Sequence, residues 1–354
     1  MKVLLTIDHP AWAHQFHHIV HSLQAQGHLI KVLAIDRAGA GELLHSYGIP
    51  YVRCARTTGK GILQKALLLL GLSLQHTWEG LLFQPDIFIG RASPMQAFAA
   101  WVCCKPHLLY EDTEVSKFSL KVCRWLSTRI LTPRAFLSDL GPKQERLDTY
   151  KELFYLHPDV FTPDRQKLRN VGFPVDEPYV IVRFSAWRAS HDRGKHGLSP
   201  EGKAALVKRL SPYGNVFVSD EGDLPETIAA CHLTTPYPLI HHVLAFARLV
   251  YSEGATIASE AAVLGTHALY VNPLISGTTQ ELSRRYGLMA VFNGGEDRYS
   301  LAAEKAEEWL ENPALETHGQ EKRTRLLAEK VDINGYFIAE AHRLAKAGRR
   351  GSSC

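Results

Sequence analysis

Short apolar runs alternate along the chain with segments whose apolar residues recur at helical spacing. The runs at 2–7, 29–35, 51–54, 86–89, 107–110 and 129–131 are too short for helices and predict buried strands. Between them, 14–26 places Phe16, Ile19, Val20 and Leu23 on one helical face, and Gly27 ends it. A short helix is predicted at 42–47, closed by Gly48. The stretch 164–178 carries Pro174 and Pro178 among charged residues and reads as a linker. The rhythm then restarts, with strands at 179–184, 215–219, 249–252 and 268–271 and helices at 200–210, 239–247, 256–264 and 280–286. Charged amphipathic helices follow at 301–310 and 320–330, and a final helix at 334–347.

Repeated strand–helix alternation predicts parallel, doubly wound sheets. The expected fold class is α/β, with two Rossmann-like domains and an interdomain cleft. Residues 1–163 form the first domain and 164–178 the linker. Residues 179–345 form the second domain, and 346–354 a flexible tail. In such folds ligands gather at the carboxyl ends of strands, so the residues just after each strand are the ones to inspect.

The chain has 354 residues, 45% hydrophobic and 21% charged, which marks it as globular rather than disordered. A formal charge of +4, with no basic block, suits phosphate-bearing ligands and gives no sign of nucleic-acid binding. None of the six cysteines forms a C-x-x-C pair, which fits free thiols in a reducing cytoplasm. The apolar start of the chain is too short for a signal peptide. No uninterrupted apolar run is long enough to span a bilayer. The leucine-rich segment 59–82 reads either as a buried helix or as a membrane-surface face beside Lys60 and Lys65.

The stretch 249–266 is the richest in chemistry. An apolar run ends at Gly254, and a helix of small residues follows, with Glu260 in its second turn. The first N–H groups of a helix have no intrahelical partner and attract anions. The turn Gly254–Ala255–Thr256 is therefore a candidate diphosphate site, and Glu260 a candidate for a ribose diol. Arg183 and Ser185 end another strand and could add a guanidinium and a hydroxyl, with His191-Asp192 further along. The loop 272–281 contains Thr279, Gln280 and Glu281, which either read sugar hydroxyls or form a cap with Thr278 or Thr279 at its head.

In the first domain, Asp8, His9 and His14 occupy the loop expected to lead into the first helix. They could supply a general base or merely cap and pack. Glu111, Asp112 and Glu114 follow another strand. Carboxylates so close repel unless they meet a cation, a sugar or one another's protons, so they are either acid–base groups or a solvated cap. The Gly90–Pro94 loop reads as no more than a helix start. Ser219–Asp223 is acidic but lacks an EF-hand layout and reads as a turn.

His14, the Glu260 helix and Gln280 together resemble the glycosyltransferase-B fold. Within it the chain is similar to the peptidoglycan N-acetylglucosaminyltransferase family, which implies that Glu260 binds ribose and Gln280 reads the sugar. It is also similar to the non-hydrolysing UDP-N-acetylglucosamine 2-epimerases, through the acidic group 111–114 and, loosely, Arg183–His191. More closely, it looks like the prokaryotic domain of unknown function 354. That likeness lies in Asp8-His9-Pro10 with His14 and Phe16, and in Asp112-Thr113-Glu114. It continues in Leu156-His157-Pro158 with Phe161, Pro163 and Asp164, and in Ser185 through His191-Asp192.

That last likeness implies a fold and no reaction. The glycosyltransferase-B resemblance implies a glycosyltransferase of cell-envelope or polysaccharide synthesis, metal-independent because helix N-termini and an arginine can stabilise the departing diphosphate. Its donor is a nucleoside-diphosphate sugar, UDP-linked, with no further cofactor, and its acceptor a glycan or lipid-linked molecule. A nucleotide-sugar 2-epimerase or hydrolase is the alternative, and a non-catalytic nucleotide-sugar binding protein the second. The catalytic candidates are His14, Asp8, Glu111, Asp112 and Glu114. The donor-binding candidates are Arg183, Ser185, His191, Gly254, Ala255, Thr256, Glu260, Thr279 and Gln280.

Overall fold

The computed structural model describes residues 1–35, 39–54, 61–185, 197–220, 222 and 224–350. His191 and Asp192 lie outside the described residues, as does the tail 351–354. The chain divides into two units. Unit 1 holds Met1–Val160 with Lys330–Cys354, and unit 2 holds Phe161–Glu329.

Unit 1 runs β1 (Lys2–Ile7), α1 (Pro10–Ala25), β2 (Leu29–Ile35), α2 (Ala40–Ser46), β3 (Val52–Cys54), α3 (Ile62–Phe83) and β4 (Ile87–Gly90). It continues through α4 (Pro94–Val102), β5 (His107–Tyr110), α5 (Lys117–Leu126), β6 (Arg129–Pro133), β7 (Gln144–Leu147) and α6 (Leu153–Leu156). Its seven-stranded sheet has the order β3-β2-β1-β4-β5-β6-β7, with every pair parallel.

Unit 2 begins with α7 (Arg165–Asn170), β8 (Tyr179–Phe184), α8 (Pro200–Leu210), β9 (Asn215–Asp220), α9 (Ile240–Phe246) and β10 (Leu249–Ser252). It ends with α10 (Ala255–Val263), β11 (Ala268–Val271), α11 (Gly277–Arg284), β12 (Met289–Phe292), α12 (Arg298–Leu310) and α13 (Leu315–Glu329). Its five-stranded parallel sheet has the order β12-β11-β10-β8-β9. The expected α/β class with two Rossmann-like domains is the architecture observed.

Strands such as β1, β4, β5, β10 and β11 are almost wholly buried, because helices cover parallel sheets on both faces. Each buried Leu, Val or Ile contributes about 1.5–3 kcal/mol, so these short runs suffice to set the sheet. Cys54 and Cys123 sit in the apolar clusters of unit 1 as small hydrophobes, and burial pushes their thiols up to about 11 and about 12.

Several boundaries differ from the sequence expectation. The final helix, α14 (Ile333–Arg350), belongs to unit 1 rather than to the second domain. Phe337 fills a pocket against Phe16 and Phe154, with ring centroids 5.8 and 5.5 Å away. Asn334 donates to the carbonyl of Phe154 at 3.1 Å, and Arg349 forks onto Asp86 at 2.9 and 2.6 Å. Residues 346–350, expected in a flexible tail, therefore continue the helix. The supposed linker contains α7, which is capped by Asp164 and belongs to unit 2. Helix α1 starts at Pro10, so His14 lies inside the helix and not in the loop before it. Strands β7 and β12 had no counterpart in the sequence reading; β7 reads QERL, with no apolar run to signal it.

Candidate functional site

In each sheet the chain reverses its direction of progress across the sheet at one point. In unit 1 this lies between β1 and β4, and in unit 2 between β8 and β10. Ligands of doubly wound folds bind beyond the carboxyl ends of strands at such a point. In unit 2 those ends carry Arg183 to Ser185 and Ser252 to Gly254.

A carboxylate that the sequence reading passed over organises this point. Glu253 is 1% exposed. Its Oε2 accepts the Ser185 amide at 2.8 Å, and its Oε1 accepts the Tyr299 hydroxyl at 2.9 Å. Its own amide donates to the carbonyl of Arg183 at 2.9 Å, and Asn272 Nδ2 donates to its carbonyl at 2.8 Å. Glu253 thus ties the ends of β8 and β10 to α12 and to the loop after β11. Burial and the neighbouring Glu253 carboxylate push the Tyr299 hydroxyl above the ordinary range. Arg183, also at the rim, donates to Ser219 Oγ at 2.6 Å.

Ser252 closes the next turn. Its Oγ accepts the Gly254 amide at 3.0 Å and donates to the Gly254 carbonyl at 2.8 Å. Gly254 then caps α10 in an extended conformation, φ −99°, so the backbone itself does not demand glycine there. A Cβ would meet only Ser252 Oγ at 3.6 Å and Ser185 Oγ at 4.0 Å. The tight glycine turn inferred from the sequence is in fact a serine clasp. Beyond it, Ala255, Thr256 and Ile257 are half-buried, and first-turn amides have no intrahelical carbonyl to bind.

Glu260 lies deeper, 2% exposed, with Oε1 3.3 Å from His241 Nε2 on α9. Phe161 meets the same imidazole edge-to-face at 5.9 Å. After β11, the helix α11 is capped at Ser276, ahead of the Thr278 or Thr279 expected. Thr279 is buried and donates to the Ser276 carbonyl at 2.9 Å, and Gln280 is half-buried in the first turn.

At the reversal point of unit 1, Asp8 follows β1 half-buried, and His9 caps α1 by accepting the Ala11 amide at 3.2 Å. His14 is 1% exposed. It sits between Tyr155, stacked at 5.7 Å, and the Tyr47 hydroxyl, hydrogen-bonded to Nδ1 at 2.6 Å. The acidic group after β5 meets a cation, Arg91, from the loop after β4. Arg91 is 3% exposed, and its guanidinium binds Glu111, Asp112, Thr113 Oγ1 at 3.0 Å and Gln15 Oε1 at 3.2 Å.

Glu111 is fully employed as an acceptor, taking the amides of Ala92, Asp112 and Thr113 at 3.1, 3.1 and 3.0 Å besides Arg91. Asp112 has a second cation, Lys151, at 3.1 Å. Burial alone would raise the Asp112 pKa, but the charges of Arg91 and Lys151 outweigh it and hold the carboxyl well below the usual carboxylate range. Glu114, two residues further along the same loop, is half-buried.

The structure therefore gathers Arg183, Ser185, Gly254, Ala255 and Thr256 at one strand-end cluster in unit 2, with Glu260 one turn beyond on α10. Glu111, Asp112 and Glu114 cluster in unit 1. Sequence reasoning missed Glu253, Tyr299, His241, Arg91 and Lys151. Glu253 was visible as a carboxylate closing an apolar run; the others come from distant segments and carry no spacing signal. Among the described residues no group of three or more His, Cys, Asp or Glu side chains is arranged to hold a metal ion.

No protein-family model matches the sequence, and no curated protein does. Solved structures match the fold along nearly its whole length. The UDP-GlcNAc 2-epimerase from Neisseria meningitidis bound to UDP-GlcNAc superposes with a TM-score of 0.72 at 14% identity, covering 97% of this chain and 100% of that one. The spinosyn forosaminyltransferase SpnP gives 0.65 at 14% identity, over 98% and 99%. The glycosyltransferase VinC in complex with dTDP gives 0.60 at 13% identity, over 98% and 100%. At such identity the likeness establishes the glycosyltransferase-B type of fold.

Proposed function

We propose that the protein is an enzyme that binds a nucleoside-diphosphate sugar through unit 2 and transfers the glycosyl group to an acceptor hydroxyl. The observation that carries this reading is the half-buried amino-terminal turn of α10, placed at the point where the sheet of unit 2 reverses. The diphosphate is assigned to the amides of 255–257, with Arg183 and Ser185 beside them. The ribose hydroxyls are assigned to Glu260, and the sugar to Thr279 and Gln280. Structures of similar fold bound to UDP-GlcNAc and to dTDP support a nucleotide ligand.

In the reaction, the acceptor oxygen bonds to the anomeric carbon as the bond from that carbon to the β-phosphate oxygen breaks. The electron pair leaves with the nucleoside diphosphate, and the hydroxyl proton passes to a base. Helix amides and a guanidinium stabilise the departing charge, an effect worth about 10²-fold or more in rate. The base is assigned to unit 1, where His14, Asp8 and Glu114 are the candidates.

The other two carboxylates are engaged within the unit: Glu111 accepts the amides of Ala92 and Thr113, and Asp112 is held ionised by Arg91 and Lys151. Both are assigned to fixing the 110–114 loop.

The test is a thermal-shift panel of UDP- and dTDP-linked sugars, with product analysis in the absence of acceptor. The expected result is stabilisation by a nucleotide sugar that remains intact on its own. Glu260→Ala should weaken binding about 10- to 100-fold, the loss of about 1.5–3 kcal/mol for hydrogen bonds to a charged group. Conversion of the donor alone would replace transfer with epimerisation or hydrolysis. Unchanged affinity in Glu260→Ala would remove the ribose assignment.

A further inference from the structure

Helices α3, α4 and α5 pack side by side in unit 1. Their outer side collects large apolar residues. On α3, Leu67, Leu70, Leu74, Trp78, Leu81 and Leu82 are each more than half exposed. At 100° per residue they fall within a stripe of about 120° running for about 22 Å along the helix. Trp101 at the end of α4 and Phe118 and Trp125 on α5 extend it, at 59%, 62% and 72% exposure. Soluble monomers seldom leave an apolar patch beyond about 300–600 Å² open to water.

The stretch Gln64–Phe83 is long and apolar enough to cross a membrane by length and composition. Its opposite side shows why it lies flat instead. Leu72, Ser73 and His76 are buried, and burial lowers the His76 pKa. A Cβ on Gly80 would stand 2.9 Å from both Cys103 Sγ and Phe88 Cζ, so the helix is pressed along its length onto the unit. One face is core and the other is open. The sequence alternatives of buried helix and surface face describe its two sides.

Charge identifies what covers the open side. Lys117, Lys121 and Arg124 are exposed on α5. Glu79 is the single acidic residue in the three helix sequences, and it is paired with Lys31. Tryptophans and basic residues around an aliphatic stripe match the headgroup level of an anionic bilayer. A second copy seated on the same face by two-fold symmetry would bring these cations together, while the one acid of the three helices is already paired with Lys31.

We propose that the outer face of the α3–α5 layer docks on an anionic lipid bilayer, with α3 lying in the plane of the interface. The test is co-sedimentation of the full chain with vesicles of phosphatidylcholine alone and of phosphatidylcholine with phosphatidylglycerol. Binding to the anionic vesicles, weakened by salt, is expected. Leu74→Asp with Trp78→Asp should reduce partitioning at least about tenfold, and so should Lys117→Glu with Lys121→Glu. All four positions are exposed, so thermal melts should match wild type. The proposal falls if anionic vesicles leave the protein in the supernatant, or if binding survives both variants. It also falls if ultracentrifugation shows a dimer that Leu74→Asp dissociates, since the face would then belong to a second copy.

Discussion

Replacing Arg91 with methionine keeps much of the side-chain volume and removes the cation shared by Glu111 and Asp112. All three groups lie in the interior, with side chains 3%, 4% and 10% exposed. Stripping a buried ion cluster of one partner costs about 3–5 kcal/mol, because the remaining charge stays desolvated without compensation. Glu111 keeps its three amide donors and Asp112 keeps Lys151, so a value near 4 kcal/mol is reasonable. With a urea slope of about 2 kcal/mol/M, the midpoint of unit 1 should fall by about 2 M.

The loss should also depend on pH. Asp112 has its folded pKa held below its unfolded value, so its contribution is present above the unfolded pKa and fades as pH falls through the folded one. Without Arg91 the burial penalty raises the folded pKa, and protonation relieves the variant. The gap between wild type and Arg91→Met should therefore be widest at neutral pH and narrow below about pH 5. Urea melts followed by tryptophan fluorescence at neutral and acidic pH measure both quantities. A gap under about 1 kcal/mol, or one that ignores pH, would refute the view that this cation fastens the carboxylates.

Other consequences are simpler to check. His107 is wholly buried between Ser127 and Gln96, and burial pushes its pKa down to about 3. Its neutral form stabilises the fold above the unfolded pKa, so unit 1 should lose about 1.4 kcal/mol per pH unit as pH drops from about 6.5 toward 3. His107→Gln should flatten that part of the stability curve measured by urea melts. Gly319→Ala would set a Cβ 2.0 Å from the Gly265 carbonyl oxygen, so α13 must shift from α10, at a cost of about 1–3 kcal/mol in unit 2. Gly254→Ala should leave stability nearly unchanged, since only ordinary contacts await its methyl group. A loss of nucleotide affinity in that variant, read by thermal shift, would show that a ligand needs the space.

The pattern of apolar runs was enough to predict the parallel α/β class and most strands, because a strand buried on both faces must be written in continuous Val, Ile and Leu. Strand β7 escaped because an edge strand with one buried residue has little apolar signature. The turn into α10 was marked as a candidate anion site through local rules alone, and its closure by Ser252 depends on side-chain geometry that no spacing encodes. The warning that Glu111, Asp112 and Glu114 would repel without a cation was sound, yet nothing in the Gly90–Pro94 loop named Arg91 as the answer.

By itself, then, the amino-acid order determined what repeats locally: most strands, most helices and the strand ends at which to look for a site. Tertiary structure alone decided which distant groups meet. It took α14 back to unit 1, because Phe337 finds Phe16 and Phe154 there. It brought Arg91 to the carboxylates and Tyr299 to Glu253. Hydrophobic burial is non-directional, so an amphipathic pattern specifies that a face is covered and leaves its partner to the packing of the whole.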